Sequence, residues 1–237
     1  MQKTLNAEQI AAFYHDGFVS QQVAHFKKLC FPLIESQKVV VDIGGGCGYF
    51  AAAIKNELSI PTRVIDMDPV SVESAQSLGV EAIVGDALRP PKQNDEAVVC
   101  FNLILHHLVA NSEGDTLALQ AGAISAWREN NVKIFINEYI YESWVADISG
   151  WIIYQITKSK FLSAIANAVS KILPSLKANT LGVGVRFRSN SEWRNIFKEC
   201  GFSIAGEQKG EKEFIPLSQR LLLIKEIRRD SFFLVAK

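Results

Sequence analysis

The stretch at positions 39–50, VVVDIGGGCGYF, constrains the fold more than any other part of the chain. A β-branched run ends in Asp42 and opens at once into Gly44, Gly46 and Gly48. Apolar residues bounded by glycines predict a buried strand, and the alanine-rich segment 50–58 predicts the helix after it. The glycines then form the turn, where a missing Cβ permits positive φ and lets a ligand lie against the main chain. Their spacing is Gly-x-Gly-x-Gly, not the Gly-x-Gly-x-x-Gly of a dinucleotide site, whose helix N-terminus receives a pyrophosphate. A ligand with an adenosine and no phosphate fits this spacing better.

Four further segments follow in order. TRVIDMDP is a second apolar strand, ending in Asp66. An acid at that tip is placed to accept both hydroxyls of a ribose; alternatively, Asp66 and Asp68 serve only as cap and first-turn acids of the helix that Pro69 opens. VGDAL puts Asp86 after a short strand at 81–84. AVVCFNLILHHL is a continuous apolar strand through Phe101, followed by Asn102 and the pair His106 and His107. VKIFINEYIYESW is another buried strand, ending in Asn137 and Glu138 and followed by aromatics. Strands alternating with helices predict a parallel sheet covered on both faces. Ligands of such sheets bind beyond the carboxyl ends of the strands, so Asp42, Asp66, Asp86, Asn102 and Glu138 are expected on one rim. Towards the C-terminus, FKECGFSIAGE predicts a helix stopped by Gly201 and then a strand, and SFFLVAK a final strand. Between these two, Arg228, Arg229 and Asp230 read as a solvated turn.

With these segments in this order, residues 38–237 resemble the class I S-adenosylmethionine-dependent methyltransferases of the small-molecule branch. The resemblance implies an α/β fold: a doubly wound seven-stranded sheet, mostly parallel with an antiparallel last strand. Helices at 1–37 form an N-terminal cap, and a helical insertion at about 145–188 follows the fifth strand. It further implies S-adenosyl-L-methionine as cofactor, bound through Asp42, Gly44, Gly46, Gly48, Asp66, Met67, Asp86, Ala87 and Asn102, with Asp86 reading the adenine amino group. The implied activity is methyl transfer to an oxygen or nitrogen of a small-molecule acceptor, with release of S-adenosylhomocysteine. Two readings stand beside it: another S-adenosylmethionine-using enzyme of the same fold, and a non-catalytic subunit that keeps the fold to bind a partner. The loop spacing and the terminal strand argue against a nicotinamide-dependent dehydrogenase.

Methyl transfer from a sulfonium is an in-line displacement, accelerated mainly by alignment and exclusion of water. A hydroxyl acceptor also needs its proton removed, whereas a neutral amine attacks first. His106, His107 and Glu138 are the candidate bases, because each follows a strand. Tyr14, Tyr141 and Trp144 are candidates for the acceptor pocket, although aromatics at helical spacing near the N-terminus, such as Phe26, fit core packing better. Arg186 and Arg188 flank Phe187 before a helix capped by Asn190 or Ser191; they hold an anionic group of the acceptor or form surface ion pairs. The insertion, apolar at helical spacing over 152–173, is a lid over the acceptor, a dimer surface or a membrane-surface helix.

Lys and Arg number 25, as do Asp and Glu, so no basic field favours a nucleic-acid partner. The four cysteines are scattered without metal-ligand spacing and read as reduced thiols of a cytoplasmic protein; no metal is expected. No apolar run reaches the ~18 residues of a membrane span. A monomer or homodimer is expected.

Overall fold

The computed structural model describes residues 16–31, 34, 38–128, 132–160, 164 and 184–237. Seven strands form one sheet: β1 (Val39–Ile43), β2 (Thr62–Asp66), β3 (Glu81–Val84), β4 (Glu96–Asn102), β5 (Lys133–Ser143), β6 (Phe202–Gln208) and β7 (Ile224–Ala236). Their order is β3-β2-β1-β4-β5-β7-β6. β1 to β5 pair in parallel, and β7 runs antiparallel between β5 and β6. This is the doubly wound sheet with an antiparallel last strand that the sequence predicts.

The described helices are α1 (Asp16–Leu29), α2 (Tyr49–Leu58), α3 (Pro69–Ser77), α4 (Glu113–Ser125), α5 (Ile148–Lys158), α6 (Asn190–Glu199) and the single turn α7 (Leu217–Arg220). The period-two alternation of the strands divides the core. Val41, Phe101, Ile134, Ile136, Phe232 and Leu234 meet Ile124 of α4 and Trp193 and Phe197 of α6. Val40, Cys100, Phe135 and Phe233 face Val23 and Phe26 of α1 and Phe50 and Ile54 of α2. Phe26 is thus core, edge-on to Phe50 at 5.8 Å and to Phe135 at 5.4 Å.

Local signals account for several boundaries. Asp68 caps α3, accepting from the N–H of Val70 and Ser71, with Pro69 at the first helical position. α6 is capped by Ser189 rather than Asn190 or Ser191, because Glu192 three residues on completes a capping box with it. Asp16 and Gly17 lie in α1, which spans Asp16–Leu29 among the described residues.

Two strands run further than predicted. β5 continues through Tyr139, Tyr141 and Glu142 to Ser143, and β7 starts at Ile224, so the two pair from Ile134↔Leu234 to Ser143↔Ile224. Arg228 and Asp230 are therefore buried strand residues, not a solvated turn. The Arg228 guanidinium is neutralised by Asp230 at 2.9 Å, Glu226 at 2.6 Å and Glu142 at 3.0 Å. The paired ribbon projects past the carboxyl ends of β1 and β4 and carries a wall above the rim.

Candidate active site

The rim is built from the glycine turn upward. Gly44, Gly46 and Gly48 all have positive φ, at 65°, 52° and 78°. A Cβ on Gly44 would strike the Ile104 side chain, and one on Gly48 would strike Ala75. At Gly46 it would meet nothing within 4 Å. Gly46 is thus the glycine whose bare backbone faces open space, and its N–H donates to Asp66 Oδ2 at 2.9 Å.

Asp66 Oδ1 accepts from the Asp68 N–H, also at 2.9 Å. A carboxylate has about four lone-pair sites, so each oxygen keeps one for a ligand. Met67 beside it is exposed, and Ala87 is buried against the β1–β4–β5 core. Asp86 fixes its own turn by accepting from the Leu88 N–H at 2.9 Å.

Asp42 is buried under the turn, and its Oδ1 accepts from Asn102 Nδ2 at 2.9 Å. Burial pushes its carboxyl up to about 7, opposed by the Asn102 bond and assisted by the charge of Asp66. Asn102 Oδ1 is buried and has no hydrogen-bond partner among the described residues. An acceptor held at the end of β4 suits an ammonium or hydroxyl donor from a ligand.

The turn after β4 holds the candidate bases. Glu138 does not face the rim as expected: it is fully buried and accepts from the Leu105 N–H and from His106 Nδ1, both at 2.7 Å. Both of its oxygens are thus bonded inward, one to the turn after β4 and one to the His106 ring. In the tautomer that donates Nδ1–H to the carboxylate, the lone pair of His106 is on Nε2. His107 packs at 4.2 Å from His106, and burial together with that neighbour pushes its titration well below the ordinary imidazole value.

Phe187 was not among the sequence candidates, and it organises the wall. Its ring stacks on Tyr141 at 4.3 Å, lies 4.8 Å from His106 and stands edge-on to Tyr139 at 5.9 Å. Burial raises the Tyr141 phenol above its ordinary value and pushes Tyr139 up to about 12, so both stay protonated at neutral pH. Trp144 lies outside this wall, exposed beyond the end of β5, and Tyr14 lies outside the described residues.

Arg186 is corrected as a substrate contact. It is buried; its Nε donates to Glu113 at 3.0 Å, and its other nitrogens reach Glu192 and the Phe187 carbonyl oxygen. Arg188, likewise buried, donates to Glu113 at 3.0 Å and to Gln120. These pairs anchor the segment that presents Phe187, and they are interior rather than surface pairs. The alternating pattern Arg-Phe-Arg was the one signal for this, since neighbours on an extended segment face opposite ways.

A polar chain crosses the other side of the ribbon: His25 Nδ1 lies 2.9 Å from Ser231 Oγ, to which Asn137 Nδ2 donates at 2.8 Å. Cys30, Cys100 and Cys200 are buried free thiols. Among the described residues no group of three His, Cys, Asp or Glu side chains is arranged to hold a metal ion, and no helix is long and apolar enough to cross a membrane.

No family model and no curated protein matches the sequence. Solved structures do match. The MccD protein aligns over 92% of this chain and 96% of its own, with a TM-score of 0.62 at 12% identity. Magnesium protoporphyrin IX methyltransferase (ChlM) from Synechocystis PCC 6803, solved with bound S-adenosylhomocysteine, aligns over 100% of this chain and 90% of its own, with a TM-score of 0.58 at 14% identity. Phosphoethanolamine N-methyltransferase 2 of Haemonchus contortus, in complex with phosphomonomethylethanolamine and S-adenosylhomocysteine, aligns over 92% of this chain and 52% of its own, with a TM-score of 0.55 at 13% identity. The sheet order, the antiparallel β7 and these alignments together give the chain the class I S-adenosylmethionine-dependent methyltransferase fold.

Proposed function

We propose that the protein is an S-adenosylmethionine-dependent methyltransferase acting on a hydroxyl of a small molecule. The observation that carries the reading is the open backbone at Gly46, hydrogen-bonded to Asp66 and set at the same rim as the unpartnered Asn102 Oδ1. These groups fit the cofactor: Asp66 has lone pairs for the ribose hydroxyls, Asn102 Oδ1 an acceptor for the ammonium, and Gly46 leaves room beside the main chain. When bound, the cofactor supplies an electrophilic methyl group on a sulfonium.

The remaining work falls to this chain. Asp42 holds the Asn102 amide in place, and the wall of Tyr139, Tyr141 and Phe187 excludes water and seats an apolar or planar acceptor. His106, oriented by Glu138, takes the hydroxyl proton at Nε2, which favours oxygen over nitrogen as the target. The insertion acts as a lid in this reading. One described part of it, α5, is tied to the chain just after His107 by Tyr154, whose hydroxyl donates to the Ala110 carbonyl oxygen at 2.6 Å.

Calorimetric titration with S-adenosylmethionine and S-adenosylhomocysteine tests the cofactor, and label transfer from methyl-labelled S-adenosylmethionine to matched phenols and anilines tests the acceptor. Both cofactor forms are expected to bind, and label to appear on oxygen. Absence of binding would refute the function; transfer confined to nitrogen would refute the role of His106.

A further inference from the structure

The β6–β7 connection exposes an unusual amount of apolar surface. Phe214 is 87% exposed, Leu217 84% and Leu221 79%, and beside them at the end of β5 Trp144 is 65% and Val145 57% exposed. Large apolar side chains exposed singly are ordinary; a contiguous group is not. These are contiguous. Leu217 and Leu221 lie four apart across the α7 turn, Phe214 lines one shallow depression with Arg220 and Lys225, and the Trp144 N–H donates to the Leu223 carbonyl oxygen at 2.9 Å. Beneath them Ile215, Ile224 and Ile227 pack with Leu222, Ile153, Tyr139 and Tyr141, so the ridge is braced against the ribbon that carries the aromatic wall.

The charges around the depression are lopsided. Glu213 lies 3.6 Å from Arg229, and Glu226 is bonded to Lys212 and Arg228, so the acids are taken up by neighbouring cations. Arg220 has no ion pair to another described residue, and Lys225 stands over the Trp144 ring at 5.7 Å. Apolar side chains interleaved with uncompensated cations match the interface of a bilayer bearing anionic headgroups. A two-fold contact between copies of this chain would instead set the same patch against itself, leaving Arg220 and Lys225 no uncompensated acid of the patch to face.

We propose that the ridge formed by Phe214, Leu217, Leu221, Trp144 and Val145, with Arg220 and Lys225, docks the protein peripherally on an anionic lipid surface. Docking is independent of methyl transfer, and it is measured without cofactor or acceptor. The protein is sedimented with vesicles of phosphatidylcholine alone and of phosphatidylcholine mixed with phosphatidylglycerol. Binding is expected to the mixed vesicles, weakened by salt. The double variant Arg220→Gln/Lys225→Gln is expected to bind roughly thirtyfold more weakly, each cation near such a surface being worth about fivefold. Leu217→Ser/Leu221→Ser is expected to abolish binding while circular dichroism and the affinity for S-adenosylhomocysteine stay unchanged. Equal binding of wild type and both variants, or no preference for anionic vesicles, overturns the proposal. Sedimentation velocity showing a wild-type dimer that the leucine variant converts to monomer, without vesicle binding, assigns the ridge to a second copy instead.

Discussion

The main-chain N–H of Gly46 donates to Oδ2 of Asp66 at 2.9 Å, tying the turn after β1 to the tip of β2. The bond spans adjacent parallel strands, and it fixes the carboxylate beside the glycine turn. Asp66→Ala removes this tie and, on the proposed function, the ribose acceptor. A lost charge-assisted bond costs about 1.5–3 kcal/mol, so calorimetry should show S-adenosylhomocysteine affinity reduced by about tenfold or more. Unchanged affinity in a folded variant would contradict the ribose assignment.

Asp42 makes stability depend on pH. Its folded carboxyl titrates at about 7, against an ordinary value of 3.8, so the folded state binds the proton more tightly than the unfolded chain. The stability this contributes is present at low pH and is lost as pH rises from about 4 through about 7. Thermal unfolding followed across that window should fall less steeply for Asp42→Asn than for the wild type. Parallel curves would show that Asp42 is ionised throughout.

The dyad of His106 and Glu138 predicts which substitution stops turnover. Glu138→Gln would place an amide donor against His106 Nδ1, moving the ring proton to Nε2 and removing the base without emptying the site. Turnover of a hydroxyl acceptor should drop about 10²–10⁴-fold, as for His106→Ala, with cofactor affinity retained. An enzyme in which Glu138→Gln keeps its rate does not use His106 as base.

Phe187→Ala opens the wall between Tyr141 and His106. Aromatic pairs of this geometry contribute about 0.5–1.5 kcal/mol each beyond burial, so KM for the acceptor should rise several-fold while the cofactor Kd holds. A change confined to the cofactor Kd would place Phe187 on the other side of the methyl group.

Glu113 faces two buried guanidinium groups, Arg186 and Arg188, each at 3.0 Å. Glu113→Ala leaves them paired with Glu192 only. Breaking a buried pair costs roughly 3–5 kcal/mol, and Glu113 is itself partly exposed, so chemical denaturation should show a loss near 3 kcal/mol. A loss below about 1 kcal/mol would make these ordinary surface pairs.

Where β1, β2 and β4 end was legible in the sequence to within a residue, because an apolar run closing on Asp42, Asp66 or Asn102 is a local pattern, and open α/β sheets put such tips on one edge. The glycine turn was legible for the same reason: its positive φ angles demand residues without a Cβ. How far β5 and β7 extend was not. Arg228, Arg229 and Asp230 read locally as a solvated turn, and they are strand because β7 pairs with β5 and β6, with Glu142, distant in sequence, reaching Arg228 across the pairing. Burial of Arg186 and Arg188 likewise depends on Glu113 from α4, and the inward turn of Glu138 on the N–H of Leu105 and the ring of His106. Local spacing determined the strands and the turn that receives a ligand; desolvated charges, which are stable only beside partners from remote elements, were decided by the tertiary structure alone.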